Sequence, residues 1–196
     1  MIFEQVATGG CQSYLVGCAD TLSAVLIDPE ISQIDRYKAL AARDGLHIRY
    51  VIDTHTHADH FSAAKTLSHM LDAPAVMHQA SPAPFASLRL DDDDLLRVGA
   101  LRIRAIHTPG HTADSMCLVV EDRVFTGDTL LIGGTGRSDL PTGDPDQLYD
   151  SLFGKEARGC NGWRKPLWGG IVPQVVCGFL ALGFALALYF REPPPA

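Results

Sequence analysis

The sequence is short of several features that mark common protein classes. Its five cysteines are odd in number and include no CxxC pair, which suits neither a disulfide framework nor a zinc knuckle and indicates a reducing compartment. The first ten residues, MIFEQVATGG, lack the basic start and apolar run of a secretory signal. Residues 1–153 have little positive charge relative to negative charge. Residues 154–196 hold five Lys or Arg and two Asp or Glu, so residues 1–153 must carry −10 to give the net charge of −7. This acidic body argues against binding to nucleic acid.

Charge is wholly absent from one long stretch near the C-terminus. Residues 168–190 are uncharged and, as a helix, would extend about 34 Å, against a hydrocarbon core of roughly 30 Å. We therefore expect one transmembrane helix here, the alternative being a buried core helix. Four basic residues precede the stretch and one follows it, so the positive-inside rule places the N-terminal body in the cytoplasm. The prediction is a single-pass membrane protein with a catalytic domain at 1–153, a basic linker at 154–167 and a short tail at 191–196.

Strand and helix patterns alternate in the N-terminal half. The apolar run in SAVLIDPE predicts a buried strand that ends at Asp28. Ser32 and Asp35 resemble a capping box that opens a helix, and Gly45 is expected to end that helix. HIRYVID alternates like a strand and leads directly into THTHADH, after which apolar residues recur at helical spacing from Phe61 to Leu71.

The second half of the body has the pattern of antiparallel strands. ALRIRAI alternates strictly before HTPGHT, and MCLVV and RVF flank Glu121 and Asp122 like the arms of a hairpin. The second arm leads straight into TGDT. The run Asp91–Asp94 predicts a solvated turn, because like charges repel one another and favour exposure.

THTHADH packs four candidate metal ligands into seven residues. On an extended stretch, residues i and i+2 point the same way, so His55 and His57 can approach one ion while Asp59 and His60 begin the next turn. HTPGHT adds His107 and His111, and Asp128 in TGDT follows a predicted strand. Each of these later residues alone would be a weak signal, but together they predict a metal site. The isolated histidines His47, His69 and His78 are expected to be structural.

In this order and spacing, THTHADH, HTPGHT and TGDTL resemble the metallo-β-lactamase superfamily. The resemblance covers residues 1–153 and implies an α/β fold, a four-layer αββα sandwich with its metal site at one edge of the sheets. LLIGGTGRSDLPTGDP, residues 130–145, is similar to the glycine-rich segment of persulfide dioxygenases, which oxidise glutathione persulfide. A phosphate-binding P-loop is the rival interpretation of this segment, but the Lys-Ser/Thr ending of a P-loop is absent.

The resemblance also implies two alternative ligand sets. In the dinuclear zinc enzymes of the superfamily, the first metal takes the residues matching His55, His57 and His111. The second takes those matching Asp59 and His60 plus a late histidine, with the match of Asp128 bridging the two metals. No histidine follows His111 in this sequence.

The mononuclear set of persulfide dioxygenases, by contrast, is complete, and its members match His55, His111 and Asp128. Two histidines and one carboxylate form the facial triad of non-haem Fe(II) oxygenases, although the same residue types also bind catalytic Zn(II). We therefore expect one Fe(II) per chain, and Zn(II) as the alternative. His57 is then expected to orient the ligands, with Asp59 and His60 as catalytic residues.

The function that the resemblance implies is oxidation of glutathione persulfide by O₂ to sulfite and glutathione. Arg137 is expected to hold the anionic substrate, since a guanidinium fork suits a carboxylate; a surface salt bridge is its alternative role. A zinc-dependent thioester hydrolase of glyoxalase II type is the rival enzyme. Family members continue past LYDSLFG with further strands and helices, so an incomplete sandwich that acts only as an inactive membrane-tethered domain is the third alternative. Assembly into a homo-oligomer stays open.

Overall fold

The computed structural model describes residues 1–8, 11–153 and 174–176. Its first sheet has six strands in the order β1-β2-β3-β4-β5-β6. β1, β2 and β3 pair antiparallel, whereas β3 to β6 pair parallel. The strand bounds are β1 Ile2–Ala7, β2 Gln12–Gly17, β3 Ser23–Ile27, β4 His47–Ile52, β5 Ala75–His78 and β6 Leu88–Leu90.

Helices make two of the three crossovers between the parallel strands. A short 3-10 helix, Ile31–Gln33, leads into α1 (Ile34–Arg43) between β3 and β4, and α2 (Ala64–Leu71) lies between β4 and β5. Residues 79–87 connect β5 to β6 without a helix. Antiparallel neighbours need only a tight turn, but parallel neighbours need a connection that returns the chain to the other end of the sheet. The ends of β3 and β4 are thereby brought to the same edge of the sheet.

The second sheet has five strands in the order β11-β10-β9-β8-β7. β7 to β10 form an antiparallel meander, and β11 pairs parallel with β10. The bounds are β7 Leu95–Val98, β8 Leu101–His107, β9 Met116–Val120, β10 Arg123–Phe125 and β11 Gln174–Val176. A third helix, α3 (Pro145–Phe153), follows the glycine-rich segment.

Two apolar cores flank the first sheet. Alternate residues of β3 divide between them: Val25 and Ile27 face the second sheet, while Leu26 belongs to the cluster that contains Tyr37 of α1 and Leu67 of α2. Because both faces of the central strands are covered, these strands are apolar throughout rather than alternating. The result is an α/β sandwich with a mixed sheet, an antiparallel sheet and helices on the outer face of the mixed sheet.

Most of the predicted elements are present. The SAVLI strand, the HIRYVI strand and the hairpin of β9 and β10 are confirmed, and Glu121 adopts a positive φ of 51° in the hairpin turn. Asp91–Asp94 are all exposed, and the Asp94 carboxylate accepts a hydrogen bond from the Asp91 amide, so the predicted turn is confirmed. α1 ends at Arg43, just before Gly45.

Two details of the helix starts were predicted wrongly. Glu30, not Ser32, caps the first turn, because its side chain accepts the Ser32 amide. Phe61 does not belong to the helix that follows THTHADH: α2 begins at Ala64, and the Phe61 side chain is 83% exposed. Ser62 explains this, since it donates to the Asp53 carboxylate and accepts the Ala64 amide.

The predicted membrane helix at 168–190 lies outside the described residues except for Gln174–Val176. Those three residues form β11 beside β10, so the prediction of a helix is wrong at that point. Within the part of the chain that the structure describes, no helix is both long enough and apolar enough to cross a bilayer. The predicted linker at 154–167 and tail at 191–196 also lie outside that part.

Candidate metal centre

The candidate site lies where the chain leaves β3, β4, β8 and β10. Asp28 follows β3, THTHADH follows β4, His111 follows β8, and Asp128 follows β10. In open α/β sheets, functional groups gather outside the carboxyl ends of the strands, where loops can approach each other without breaking the ladders. The two sheets together thus collect side chains that lie up to 100 residues apart in the sequence.

His55 offers a buried nitrogen with nothing to bind. The residue is 2% exposed, its Nδ1 lies 3.0 Å from the Thr54 hydroxyl, and its Nε2 is buried without a hydrogen-bond partner. An unsatisfied buried polar atom costs roughly 1–3 kcal/mol. Burial, together with the nearby His57, holds the pKa of His55 well below its ordinary value, which keeps the ring in the neutral form that binds metals.

His111 and Asp128 complete a three-residue group with His55. The ligand atoms of the three residues all lie within 4.8 Å of one another. Nε2 of His111 is 3.5 Å from the Asp128 carboxylate, and its ring meets that of His55 edge-on with centroids 4.9 Å apart. Burial raises the pKa of Asp128. Two imidazoles and one carboxylate, with Nε2 of His55 otherwise unpartnered, fit a divalent metal ion, which would hold Asp128 ionised.

His57 belongs to a second group, with His55 and Asp59, that also satisfies the 4.8 Å limit. Its Nε2 lies 3.1 Å from Asp28 and 3.8 Å from Asp53, while Nδ1 is 3.7 Å from Asp59. Burial alone would lower the pKa of His57, but the surrounding carboxylates raise it well above its ordinary value. With Nε2–H directed at Asp28, Nδ1 is the nitrogen left to face the site.

His60 and Asp59 sit beside this second group. Nδ1 of His60 is 3.1 Å from Asp59, and the His60 and His57 rings lie 4.2 Å apart. Although burial opposes it, contact with Asp59 and with the Cys11 thiol raises the pKa of His60 to about 9. Burial likewise opposes the shift at Asp59, but contacts with His57 and His60 hold the pKa of the Asp59 carboxyl far below its usual range. Cys11 is a neighbour of the site that the sequence motifs did not indicate.

The glycine-rich segment supports His111 through its backbone. Nδ1 of His111 donates to the Arg137 carbonyl oxygen, 2.7 Å away, and the Gly136 amide donates to the Asp128 carbonyl oxygen at the same distance. A Cβ on Gly136 would lie 2.3 Å from that oxygen and 2.7 Å from Nδ1 of His111. Only glycine permits this approach, so the segment serves the metal centre and does not need a phosphate to explain it.

The Arg137 side chain, in contrast, points to solvent. It is 67% exposed, and its guanidinium group donates two hydrogen bonds, of 2.6 and 2.8 Å, to the Asp139 carboxylate. This ion pair lowers the pKa of Asp139 to about 2. The structure therefore contains the surface salt bridge that was the alternative role, and it is the Arg137 carbonyl that reaches the site.

Three histidines lie apart from the ligand groups of the described residues, and one of them, His107, was predicted as part of the metal site. His107 stacks on His78 with ring centroids 3.8 Å apart, and His107 Nε2 donates to the Ala113 carbonyl. His69 is exposed on α2. These contacts agree with structural roles for His78 and His107.

Three buried aspartates beside the ligands were missed: Asp53, described above next to His57, and Asp28 and Asp114. Asp28 accepts hydrogen bonds from the Thr54 amide at 2.7 Å and hydroxyl at 2.9 Å, besides its contact with His57. Asp114, three residues after His111, accepts the Thr56 hydroxyl at 2.7 Å. Asp28 could have been suspected from its place at the end of a strand parallel to β4; Asp114 carries no such signal, because its partners come from distant loops.

Residues 6–158 match the family described as the Metallo-beta-lactamase superfamily. The chain belongs to this superfamily. Human Persulfide dioxygenase ETHE1, mitochondrial, is 36% identical over 146 residues, which cover 73% of this chain and 57% of that protein. The Hydroxyacylglutathione hydrolase of Anaeromyxobacter dehalogenans is 34% identical over 195 residues, which cover 96% of this chain and 70% of that protein.

A crystal structure of ETHE1 from Myxococcus xanthus is also similar, with 42% identity and a TM-score of 0.75 over 78% of this chain and 68% of that chain. The superfamily assignment confirms the predicted α/β sandwich. The match covers only 57% of the length of the human relative.

Proposed function

We propose that this chain is a mononuclear iron persulfide dioxygenase. The balanced reaction consumes glutathione persulfide, O₂ and water and yields glutathione, sulfite and two protons. The observation that carries the proposal is the group of His55, His111 and Asp128, two imidazoles and one carboxylate within 4.8 Å. The identity to persulfide dioxygenases, 36% for the human protein, supports it.

Bound Fe(II) would supply open coordination positions and the redox chemistry that O₂ requires. The protein's own contribution is to hold the three ligands ready in their binding forms. Thr54 and the Arg137 carbonyl occupy the Nδ1 atoms of His55 and His111, so each ring has its Nε2 free for the ion. Such outer contacts fix the tautomer and orientation of a metal-binding histidine.

The charged residues around the triad have distinct proposed tasks. His57, held by Asp28, orients the ligand loop. Asp59 and His60 form a hydrogen-bonded pair that can hold or give up a proton beside the substrate sulfur. Arg137 would exchange Asp139 for a carboxylate of glutathione, since the same bidentate geometry suits both partners.

A zinc-dependent thioester hydrolase is the second candidate, and a specific observation favours it. His55, His57 and Asp59 form a further ligand group, so a second ion has partial support. The hydroxyacylglutathione hydrolase relative matches a longer part of this chain than the persulfide dioxygenase does. Against it, no histidine follows His111 in the sequence to complete the dinuclear set.

The test measures both reactions on one preparation. Protein loaded anaerobically with Fe(II) is given glutathione persulfide while O₂ uptake and sulfite are followed, and S-lactoylglutathione hydrolysis is assayed in parallel. We expect O₂ uptake matched by sulfite, loss of both in His55→Ala, and retention in the control His69→Ala, whose side chain is exposed on α2. Thioester hydrolysis without O₂ uptake would favour the hydrolase, and no turnover of either substrate would favour the inactive domain.

A further inference from the structure

Asp114 is a buried carboxylate close to the metal centre that belongs to none of the ligand groups formed by the described residues. It is 2% exposed and lies three residues after His111. Burying an ionised carboxylate is costly unless hydrogen bonds replace its water. Its contacts therefore indicate what this charge is for.

The Asp114 carboxylate is held by the loop that follows β4. The Thr56 hydroxyl, on that loop, donates to it at 2.7 Å. Burial opposes ionisation, but Thr56, with further contributions from Thr112 and Ser81, holds the pKa of Asp114 below its ordinary value. The carboxylate is thus engaged by a hydroxyl group of the THTHADH loop.

Thr56 is placed to transmit this constraint, because it lies between His55 and His57 in the sequence. A second hydrogen bond joins the same two segments: the Met116 amide, at the start of β9, donates to the Thr54 carbonyl at 2.9 Å. The segment between His111 and β9 is therefore bonded to the THTHADH loop at Thr54 and Thr56, the residues directly before and after His55.

We propose that Asp114 is a positioning residue that, through Thr56, holds His55 and His111 at the separation a metal ion requires. It sets the affinity of the site without touching the ion. The inference rests on the proposed metal centre but not on which reaction that centre performs. Losing such an outer contact weakens metal binding by roughly 10 to 100-fold.

The experiment compares metal affinity by chelator competition, using Zn²⁺ and Fe²⁺ alone as probes on the full chain. We expect Thr56→Val and Asp114→Ala each to lower metal affinity by about 10 to 100-fold. The double variant should bind metal no more weakly than the weaker-binding single variant, because both changes remove the same hydrogen bond. Thr56→Ser keeps the hydroxyl and should restore wild-type affinity. Thr66→Val, at an exposed position of α2, is the control.

Thermal unfolding of the metal-free variants separates positioning from simple stability. A lower unfolding midpoint in Thr56→Val with unchanged metal affinity would overturn the proposal, as would full additivity of the two substitutions. Metal binding by the wild-type chain without turnover would contradict the proposed function while leaving the affinity comparison valid. A wild-type chain that binds neither ion would overturn both.

Discussion

Nδ1 of His111 donates to the main-chain carbonyl oxygen of Arg137, 2.7 Å away. A carbonyl can only accept, so Nδ1 carries a proton, and Nε2 is the ring nitrogen that faces Asp128, 3.5 Å away. Arg137 thus contacts the metal centre through its main-chain carbonyl and not through its guanidinium group. This contact holds the glycine-rich segment against the His111 ring. It therefore predicts which glycines of the segment can be replaced without loss of metal affinity.

Gly136→Ala should disrupt the metal centre, because the new Cβ would meet the Asp128 carbonyl at 2.3 Å and Nδ1 of His111 at 2.7 Å. We expect metal affinity to fall by at least about 10-fold, as for loss of an outer contact to a ligand. Chelator competition measures this. Gly134→Ala is the matched control, since nothing lies within 4 Å of a Cβ there. Equal affinity in the two variants would show that the segment can move away without cost.

Asp128→Ala should remove both metal and turnover, because two histidines alone would hold Fe(II) loosely.

His57→Ala should leave metal partly bound and lower the rate by roughly 10 to 100-fold, because His57, which is bonded to Asp28, orients the neighbouring ligands. Metal content and rate are measured on the same samples. The opposite pattern, with metal lost in His57→Ala and kept in Asp128→Ala, would support the group of His55, His57 and Asp59 instead.

Arg137→Ala should raise KM for glutathione persulfide and leave kcat within a few-fold. The expected cause is loss of a charge-assisted bidentate contact to a substrate carboxylate, and we expect KM to rise by roughly 10-fold. The exposed side chain contributes little to folding, because its present partner is the exposed Asp139. Asp139→Ala is the control and should not raise KM. An unchanged KM in Arg137→Ala would leave Arg137 with only its surface salt bridge.

Tyr37 predicts an alkaline limit to stability. Its buried hydroxyl accepts the Glu30 amide at 2.9 Å and donates to Ser13, whose own hydrogen goes to the Asp28 carbonyl. Burial raises the pKa of Tyr37 to about 12, from an ordinary value of 10.0. The unfolded chain therefore loses this proton first, so the stability is complete below pH 10 and falls as pH rises from there towards 12.

Unfolding by denaturant at several alkaline pH values measures this loss, which should approach about 3 kcal/mol for two units of pKa. In Tyr37→Phe the corresponding pH dependence should vanish, and the stability at neutral pH should be about 1–3 kcal/mol lower because the Glu30 amide loses its partner. Tyr50→Phe, at a half-buried position of β4, should behave like the wild type. An identical slope in Tyr37→Phe and wild type would refute the assignment.

Local patterns predicted the strands and the ligand motifs because both are determined by residues that lie close together in the sequence. Alternation or continuous apolarity marks a strand, and HxHxDH places ligands on one loop whatever the rest of the chain does. The helix starts were harder. Glu30 caps the first turn because its amide is already tied to Tyr37, and Phe61 stays outside α2 because Ser62 is bonded to Asp53. These bonds join segments that no local window contains.

Asp28 and Asp114, which support the ligands, were not predicted from the sequence for the same reason. Asp28 reaches His57 across a parallel strand pair, and Asp114 reaches Thr56 across two loops that are 58 residues apart. Each aspartate alone looks like any polar residue next to a strand. Only the register of the sheets, and the turns that follow their strands, turn these residues towards the metal ligands.

Elemental analysis of anaerobically purified protein tests the central claim most directly, because the two candidate reactions require different metal complements. The chain should carry one iron, and the count should fall to near zero in His55→Ala, His111→Ala and Asp128→Ala but persist in part in His57→Ala. Two zinc ions per chain, both retained after reconstitution with Fe(II), would contradict a mononuclear iron centre and favour the thioester hydrolase.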